Sequence, residues 1–158
     1  MPGVFTASEI VEIGIRIEEN GRDFYKTLLE RTKSKKAEEI FKFLAGEEER
    51  HIAVFRKILD STEKNESTES YPGEYFSYMN ALSNEYVFTQ KNQGSRIAKD
   101  AKGDKQAVDL GIGFEKDSIT FYEGMKKVVR EYEHKVIDSL IAQEKNHLKQ
   151  LSGLKKEL

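Results

Sequence analysis

Apolar residues recur at three- and four-residue spacing along most of this chain, which is the pattern of amphipathic helices. The pattern predicts four long helices, over residues 6–31, 34–59, 105–130 and 132–153. The first opens with Thr6 and Glu9 at the spacing of a capping box, in which two side chains satisfy free backbone N–H groups. Helices of this length need partners for their apolar faces, so a helical bundle is expected.

The long connection between the second and third predicted helices, residues 60–104, has a different composition. Ser, Thr, Glu, Lys and Asn fill almost all of 61–70, which predicts a solvated loop. The stretch 74–88 is rich in aromatic residues and predicts one or two short helices that pack across the bundle. Residues 94–103 are predicted to form another loop, with Asp104 as the cap of the third helix.

The first two predicted helices resemble the last two in sequence. Apolar matches alone would mean little, because any two amphipathic helices agree at their core positions. Polar residues also match in the same register, at an offset of 97 or 96 residues: Glu18 with Glu115, Tyr25 with Tyr122, Glu48 with Glu144, and His51 with His147. We therefore expect one all-α domain over 1–158, an antiparallel four-helix bundle made of two repeated helical hairpins joined by a long crossover.

Composition narrows the possible functions. The 158 residues contain no cysteine, which excludes disulfides, thiolate metal sites and cysteine nucleophiles. The net charge is −2, so no nucleic-acid partner is expected. The longest apolar run has four residues, where a membrane span needs about 20. With no secretory signal visible at the N-terminus, a cytoplasmic location and no membrane association are expected.

The matched glutamates and histidines form one Glu-x-x-His motif in each hairpin, Glu48 with His51 and Glu144 with His147. Residues three apart lie on one helical face, so each pair can bind one metal ion together. The motif alone is weak evidence, because His134 also follows a glutamate at this spacing. However, His134 lies about 15 Å along the helix from Glu144, near the end of the hairpin. We interpret it as a surface histidine.

Hairpin geometry brings two more glutamates into the same layer. Residues equally distant from the turn lie side by side in an antiparallel hairpin, which pairs Glu18 with Glu48 and Glu115 with Glu144. All four share helical faces with apolar residues and should point inward. Four buried carboxylates without countercharge would be very costly, and two divalent cations would balance them.

A buried ion-pair network is the alternative, but no Lys or Arg recurs at a matched core-facing position. The predicted metal ligands are Glu18, Glu48, His51, Glu115, Glu144 and His147. Carboxylates with imidazoles suit iron or manganese; zinc would compete but usually takes fewer carboxylates.

This pattern resembles the ferritin-like di-metal carboxylate bundles, which combine a Glu from each of two helices with Glu-x-x-His from each of the other two. Within them the chain is most similar to the rubrerythrin-type proteins, on its Glu-and-Phe-Tyr strings. The resemblance implies two iron ions, with Mn or Zn possible. It implies terminal ligands at Glu18 and Glu115, bridging ligands at Glu48 and Glu144, one histidine per metal, and hydrogen bonds from Tyr25 and Tyr122 to ligand carboxylates.

Two departures from the rubrerythrin pattern affect the expected function. Full rubrerythrins carry a cysteine-held, rubredoxin-like iron site, and this chain has no cysteine. Electrons would therefore come from an external donor such as a rubredoxin-like protein. Rubrerythrins also usually have a second glutamate three residues after the third-helix glutamate, where this chain has Ser118.

Three functions are compatible with these features. The resemblance favours an oxidoreductase that reduces hydrogen peroxide or dioxygen. Iron oxidation and storage, as in ferritins and bacterioferritins, is the first alternative, and a non-enzymatic metal-binding scaffold or sensor is the second. A homodimer is expected, with the hairpins either within one subunit or exchanged between two.

Overall fold

The computed structural model describes residues 6–65, 73–85 and 87–158, and this part of the chain is helical with no strand. The helices are α1 (Ala7–Arg31), α2 (Lys35–Asn65), α3 (Gly73–Glu85), α4 (Gly94–Asp100), α5 (Asp104–Met125) and α6 (His134–Lys155), with short 3₁₀ turns at Val87–Thr89 and Glu131–Glu133. The predicted all-α fold is confirmed. Among the described helices, none is long and apolar enough to cross a membrane.

Capping side chains and an interhelical hydrogen bond fix where the helices begin. The Thr6 hydroxyl accepts a hydrogen bond from the Glu9 amide at 3.2 Å, as the capping box requires. Ser34 accepts from the Ala37 amide in the same way at the start of α2. Asp104 is the first residue of α5 rather than its cap, and it accepts a hydrogen bond from the Thr32 hydroxyl at 2.8 Å. This contact ties the end of α1 to the start of α5.

The long helices pack as two hairpins, α1 with α2 and α5 with α6, around one core. Four large aromatic residues of the core form two repeat pairs: Phe24 and Tyr25 in α1, and Phe121 and Tyr122 in α5, are all fully buried. These residues stand two turns along the helix from Glu18 and Glu115 and form an apolar layer beside them.

The crossover returns along α1 and is held there by one side chain. Asn20 donates hydrogen bonds from its amide nitrogen to the carbonyl oxygens of Phe88 at 2.7 Å and Gln90 at 2.5 Å. Its amide oxygen accepts from the backbone N–H groups of Gln93 at 2.9 Å and Gly94 at 3.1 Å. A Cβ on Gly94 would lie only 1.9 Å from the Asn20 carbonyl oxygen, so no larger residue fits at this approach.

Within the crossover, residues 94–100 form helix α4, where a loop was predicted. Ala98 is fully buried and Ile97 packs against the core. Seven residues are too few to show a helical period in the sequence, so this element is specified by its packing on α1.

Helix boundaries differ from the prediction by two or more residues at four ends, one of which is the end of α6, at Lys155 instead of 153. Helix α2 continues to Asn65 instead of ending at 59, because the polar residues after 60 are compatible with helix and Lys64 pairs with Asp60 one turn back. Helix α5 ends at Met125 instead of 130, and α6 begins at His134 instead of 132. Residues 66–70 of the predicted loop and residue 86 of the aromatic stretch 74–88 lie outside the described residues.

Candidate metal centre

The structure brings all six predicted ligands together at the middle of the bundle. Each of the four long helices contributes: Glu18 from α1, Glu48 and His51 from α2, Glu115 from α5, and Glu144 and His147 from α6. The glutamates are 0% exposed and the histidines 2% and 1%, so these charged groups are removed from water. The helical faces deduced from the sequence therefore do point inward.

The six residues form two overlapping sets of donor atoms. Within each set the atoms lie no more than 4.8 Å apart; one set contains Glu18, Glu48, His51 and Glu144, and the other contains Glu48, Glu115, Glu144 and His147. Glu48 and Glu144 belong to both sets, which is where bridging carboxylates would stand. Glu144 lies between the histidines, with Oε1 2.9 Å from His51 Nδ1 and Oε2 3.5 Å from His147 Nδ1.

Several donor atoms in this cluster have no protein partner. Six buried atoms lack a hydrogen bond: Oε2 of Glu18, both carboxylate oxygens of Glu48, Oε2 of Glu115, Oε2 of Glu144, and Nδ1 of His147. In the described parts of the chain, no Lys or Arg forms an ion pair with these four glutamates. Buried polar atoms normally have partners, and a carboxylate left without one costs several kcal/mol. Two divalent cations would satisfy these atoms, so the residues fit the predicted metals.

Two tyrosines hold the outer glutamates across the bundle. The Tyr25 hydroxyl donates to Glu115 Oε1 at 2.7 Å, and the Tyr122 hydroxyl donates to Glu18 Oε1 at 2.6 Å. Burial and the nearby carboxylates raise the pKa of both tyrosines well above the usual value, so both hydroxyls keep their protons and remain donors. Each glutamate is thus anchored through one oxygen and presents the other, Oε2, to the cluster.

Without metal, the negative charge on any one of the buried carboxylates opposes ionisation of the others. Burial, followed by the charge of Glu144, raises the pKa of Glu18, and raises that of Glu48 and Glu115 well above the usual range. Burial opposes the charged form of His51, but Glu18 and Glu144 outweigh it and raise the pKa to about 11. Burial also opposes ionisation of Glu144, yet the neighbouring Glu115, His147 and His51 favour its charged form and lower its pKa. The metal-free cluster therefore binds protons that a cation would displace.

The position three residues after Glu115 carries no carboxylate. Ser118 is buried and donates its hydroxyl hydrogen bond to the Phe114 carbonyl oxygen of its own helix at 2.9 Å. Its counterpart in the first hairpin is Gly21, where a Cβ would lie 2.5 Å from the Phe114 ring and 3.1 Å from Glu48 Oε2. Neither hairpin supplies a seventh carboxylate from this position.

One contact of the centre was missed by the sequence reasoning. The side-chain oxygen of Gln143 lies 2.8 Å from His51 Nε2 and accepts its hydrogen bond. No polar match in the other hairpin drew attention to Gln143, because the residue 96 positions earlier is Glu47. His134 lies outside both donor sets, and its Nε2 contacts the Val129 carbonyl oxygen at 3.3 Å.

Four long helices, two Glu-x-x-His motifs and a buried cluster shared between two hairpins define a ferritin-like helical bundle of the diiron-carboxylate kind. The sequence model of the Rubrerythrin family matches residues 9–155, and the chain belongs to this family, as its resemblance indicated. No rubredoxin domain is evident within this match.

A solved structure from Thermotoga maritima has the same fold. That protein, provisionally described as a ferritin-like diiron-carboxylate protein, is 29% identical to this chain with a TM-score of 0.73. The match covers 98% of this chain and 97% of the other. No curated protein matches the chain.

Proposed function

We propose that this protein is a di-iron oxidoreductase that reduces hydrogen peroxide or dioxygen with electrons from a separate donor protein. The observation that carries the proposal is the pair of overlapping donor sets, which share Glu48 and Glu144 and contain buried carboxylate oxygens without partners. Membership of the rubrerythrin family supports iron as the metal.

The shared and unshared residues of the two sets support the ligand roles that the rubrerythrin resemblance implies. Glu48 and Glu144 would bridge the two ions, Glu18 and Glu115 would each bind one ion as terminal ligands, and each histidine would bind through Nδ1. With six protein ligands, each ion keeps open positions for an oxidant. A bound iron pair would supply the redox chemistry, in which peroxide takes two electrons and two protons to give two water molecules.

The remaining side chains keep the centre ordered and dry. Tyr25 and Tyr122 hold the terminal glutamates by one oxygen each, which limits how far these ligands can swing. The Phe114 ring lies 6.1 Å from the Tyr25 ring, and the Phe55 ring lies 4.9 Å from that of Tyr122. These aromatic pairs exclude water beside the carboxylates and so strengthen every charge interaction at the centre.

Metal content tests the proposal first. Natively purified protein should contain about two irons per chain by elemental analysis, and the double variant Glu48→Ala with His147→Ala should lose them. Many irons per chain would favour iron storage instead. If no transition metal binds even after anaerobic Fe(II) loading, a scaffold role replaces the catalytic one.

Turnover is the second test. Under reducing conditions, the iron-loaded protein should consume peroxide or dioxygen, and Glu48→Ala should not, because that variant loses a ligand common to both ions. Equal consumption by the two proteins would contradict the proposal.

The external electron donor, the homodimer and the cytoplasmic location stay predictions.

A further inference from the structure

The two ligand histidines differ in what their outer nitrogens contact. His51 Nε2 donates to the side-chain oxygen of Gln143 at 2.8 Å, and the Gln143 amide nitrogen donates in turn to the Ser139 hydroxyl at 3.3 Å. With the amide oxygen facing His51, the amide N–H group is left to donate to the Ser139 hydroxyl. His51 is thus tied through two side chains of α6.

His147 has no equivalent contact. Across the described residues, no hydrogen bond reaches His147 Nε2; instead, the Phe43 ring stands edge-on to the imidazole, with centroids 6.2 Å apart and an interplanar angle of 88°. Phe43 is itself 40% exposed, whereas His147 is 1% exposed, so the imidazole is buried against an apolar ring.

The internal repeat makes this difference easy to locate. At the offset of 96 residues, Phe43 stands where the second hairpin has Ser139, and Glu47 stands where it has Gln143. The Glu47 carboxylate binds the Arg50 guanidinium at 2.7 Å and 2.9 Å, on its own helix. The six ligands match between the hairpins, whereas the residues that contact the histidines do not.

We propose that Gln143 is a positioning residue that makes the two metal positions unequal, so that the position served by His51 fills first and binds its ion more tightly. The inference rests on the metal centre of the proposed function. An acceptor on Nε2 keeps the proton on that nitrogen and leaves Nδ1 as the ligand atom, already aimed at the cluster. The imidazole of His147 must be fixed in this form by the ion itself, which reduces the affinity of its position.

Titration of the metal-free protein with Co²⁺ tests the inference. Binding is monitored by calorimetry and by the visible absorption of bound Co²⁺. The wild type should bind in two steps. Gln143→Leu, which keeps the bulk but removes the acceptor, should weaken the tighter step by about 10- to 100-fold and bring the two steps together. Gln143→Glu, which keeps an oxygen acceptor, should preserve the two steps.

The repeat supplies the matched control. Glu47 is the equivalent residue of the other hairpin, and its carboxylate contacts Arg50 and no ligand histidine. Glu47→Leu should therefore leave both binding steps unchanged. A second readout does not depend on affinity. In the Zn²⁺-loaded wild type, ¹H–¹⁵N NMR should show one slowly exchanging histidine Nε2–H, and Gln143→Leu should lose its protection.

The inference would be overturned if Gln143→Leu kept both binding steps and a protected Nε2–H. It would also be overturned if Glu47→Leu weakened the tighter step as much as Gln143→Leu does. A wild type that binds no Co²⁺ would overturn it together with the metal centre. A two-step titration that depends on Gln143 supports the inference even in a protein that consumes no peroxide, so failure of the proposed activity can be told apart from failure of the positioning role.

Discussion

Each tyrosine at the metal centre donates to a glutamate of the opposite hairpin, so these two hydrogen bonds also join the halves of the bundle. Helical spacing in the sequence identifies neighbours on one helix only. The spacing placed Tyr25 two turns beyond Glu18, whereas its partner is Glu115. The crossing arises from the packing of α1 against α5 and could not be deduced from either helix alone.

Removing one of these hydroxyls should destabilise the metal-free protein. Tyr122→Phe leaves Glu18 Oε1 buried without its donor, and we expect the free energy of unfolding to fall by about 1–3 kcal/mol. Urea denaturation at neutral pH measures this loss. The matched control is Tyr132→Phe, which removes an exposed hydrogen bond to Ser61 and should cost less than about 0.5 kcal/mol. If both variants lost the same free energy of unfolding, the buried hydrogen bond would stabilise the protein no more than the exposed one.

The ligand residues could be found from the sequence because the repeat places like polar residues in the same register. Gln143 could not, since its counterpart is a glutamate that pairs with Arg50. A repeat reveals what two halves share. Residues that make the halves different, such as Ser139 opposite Phe43 in the alignment of the hairpins, become visible only through their contacts.

Among the elements, the crossover depends most on a single side chain, that of Asn20. The four hydrogen bonds of Asn20 fix the segment that leads into α4, and α4 packs on α1. The sequence predicted short helices in this connection but placed a loop at 94–103. Short elements that are held by backbone contacts to a distant side chain leave no periodic signal.

Asn20→Ala should loosen the crossover without emptying the metal centre. Four backbone groups lose their partner, so we expect about 2–4 kcal/mol less stability and faster hydrogen exchange in residues 87–100, with metal content retained. Asp117→Ala is the matched control, because Asp117 is the repeat counterpart of Asn20 and is exposed. That variant should stay within about 0.5 kcal/mol of the wild type. If hydrogen exchange in residues 87–100 were the same in Asn20→Ala as in the wild type, Asn20 would not be what holds the crossover on α1.

For the molecule as a whole, the centre is a junction between hairpins. Each donor set draws residues from both halves of the repeat, so a bound ion would connect helices that are far apart in the sequence. The metal-free protein holds the same residues together with shared protons. Its stability and that of the metal-bound protein should therefore respond to pH in opposite directions.

The sign of this response follows from the pKa shifts. Glu18, Glu48 and Glu115 have raised pKa values, and His51 is raised to about 11, so these groups favour the folded metal-free protein while protonated. That contribution is lost as pH rises above the unfolded values of about 4.3 for Glu and about 6.5 for His, through the raised folded values. Between pH 6 and 9, the metal-free protein should become less stable.

Metal binding reverses the trend because the ions displace these protons. For each proton released, affinity should increase about tenfold per pH unit. We therefore expect the rise in Tm caused by saturating Mn²⁺ to be larger at pH 8 than at pH 6, as measured by calorimetry with and without a chelator. Glu48→Ala with His147→Ala should show no rise at either pH. A rise that is independent of pH would mean that the ligands are already deprotonated before the ions bind.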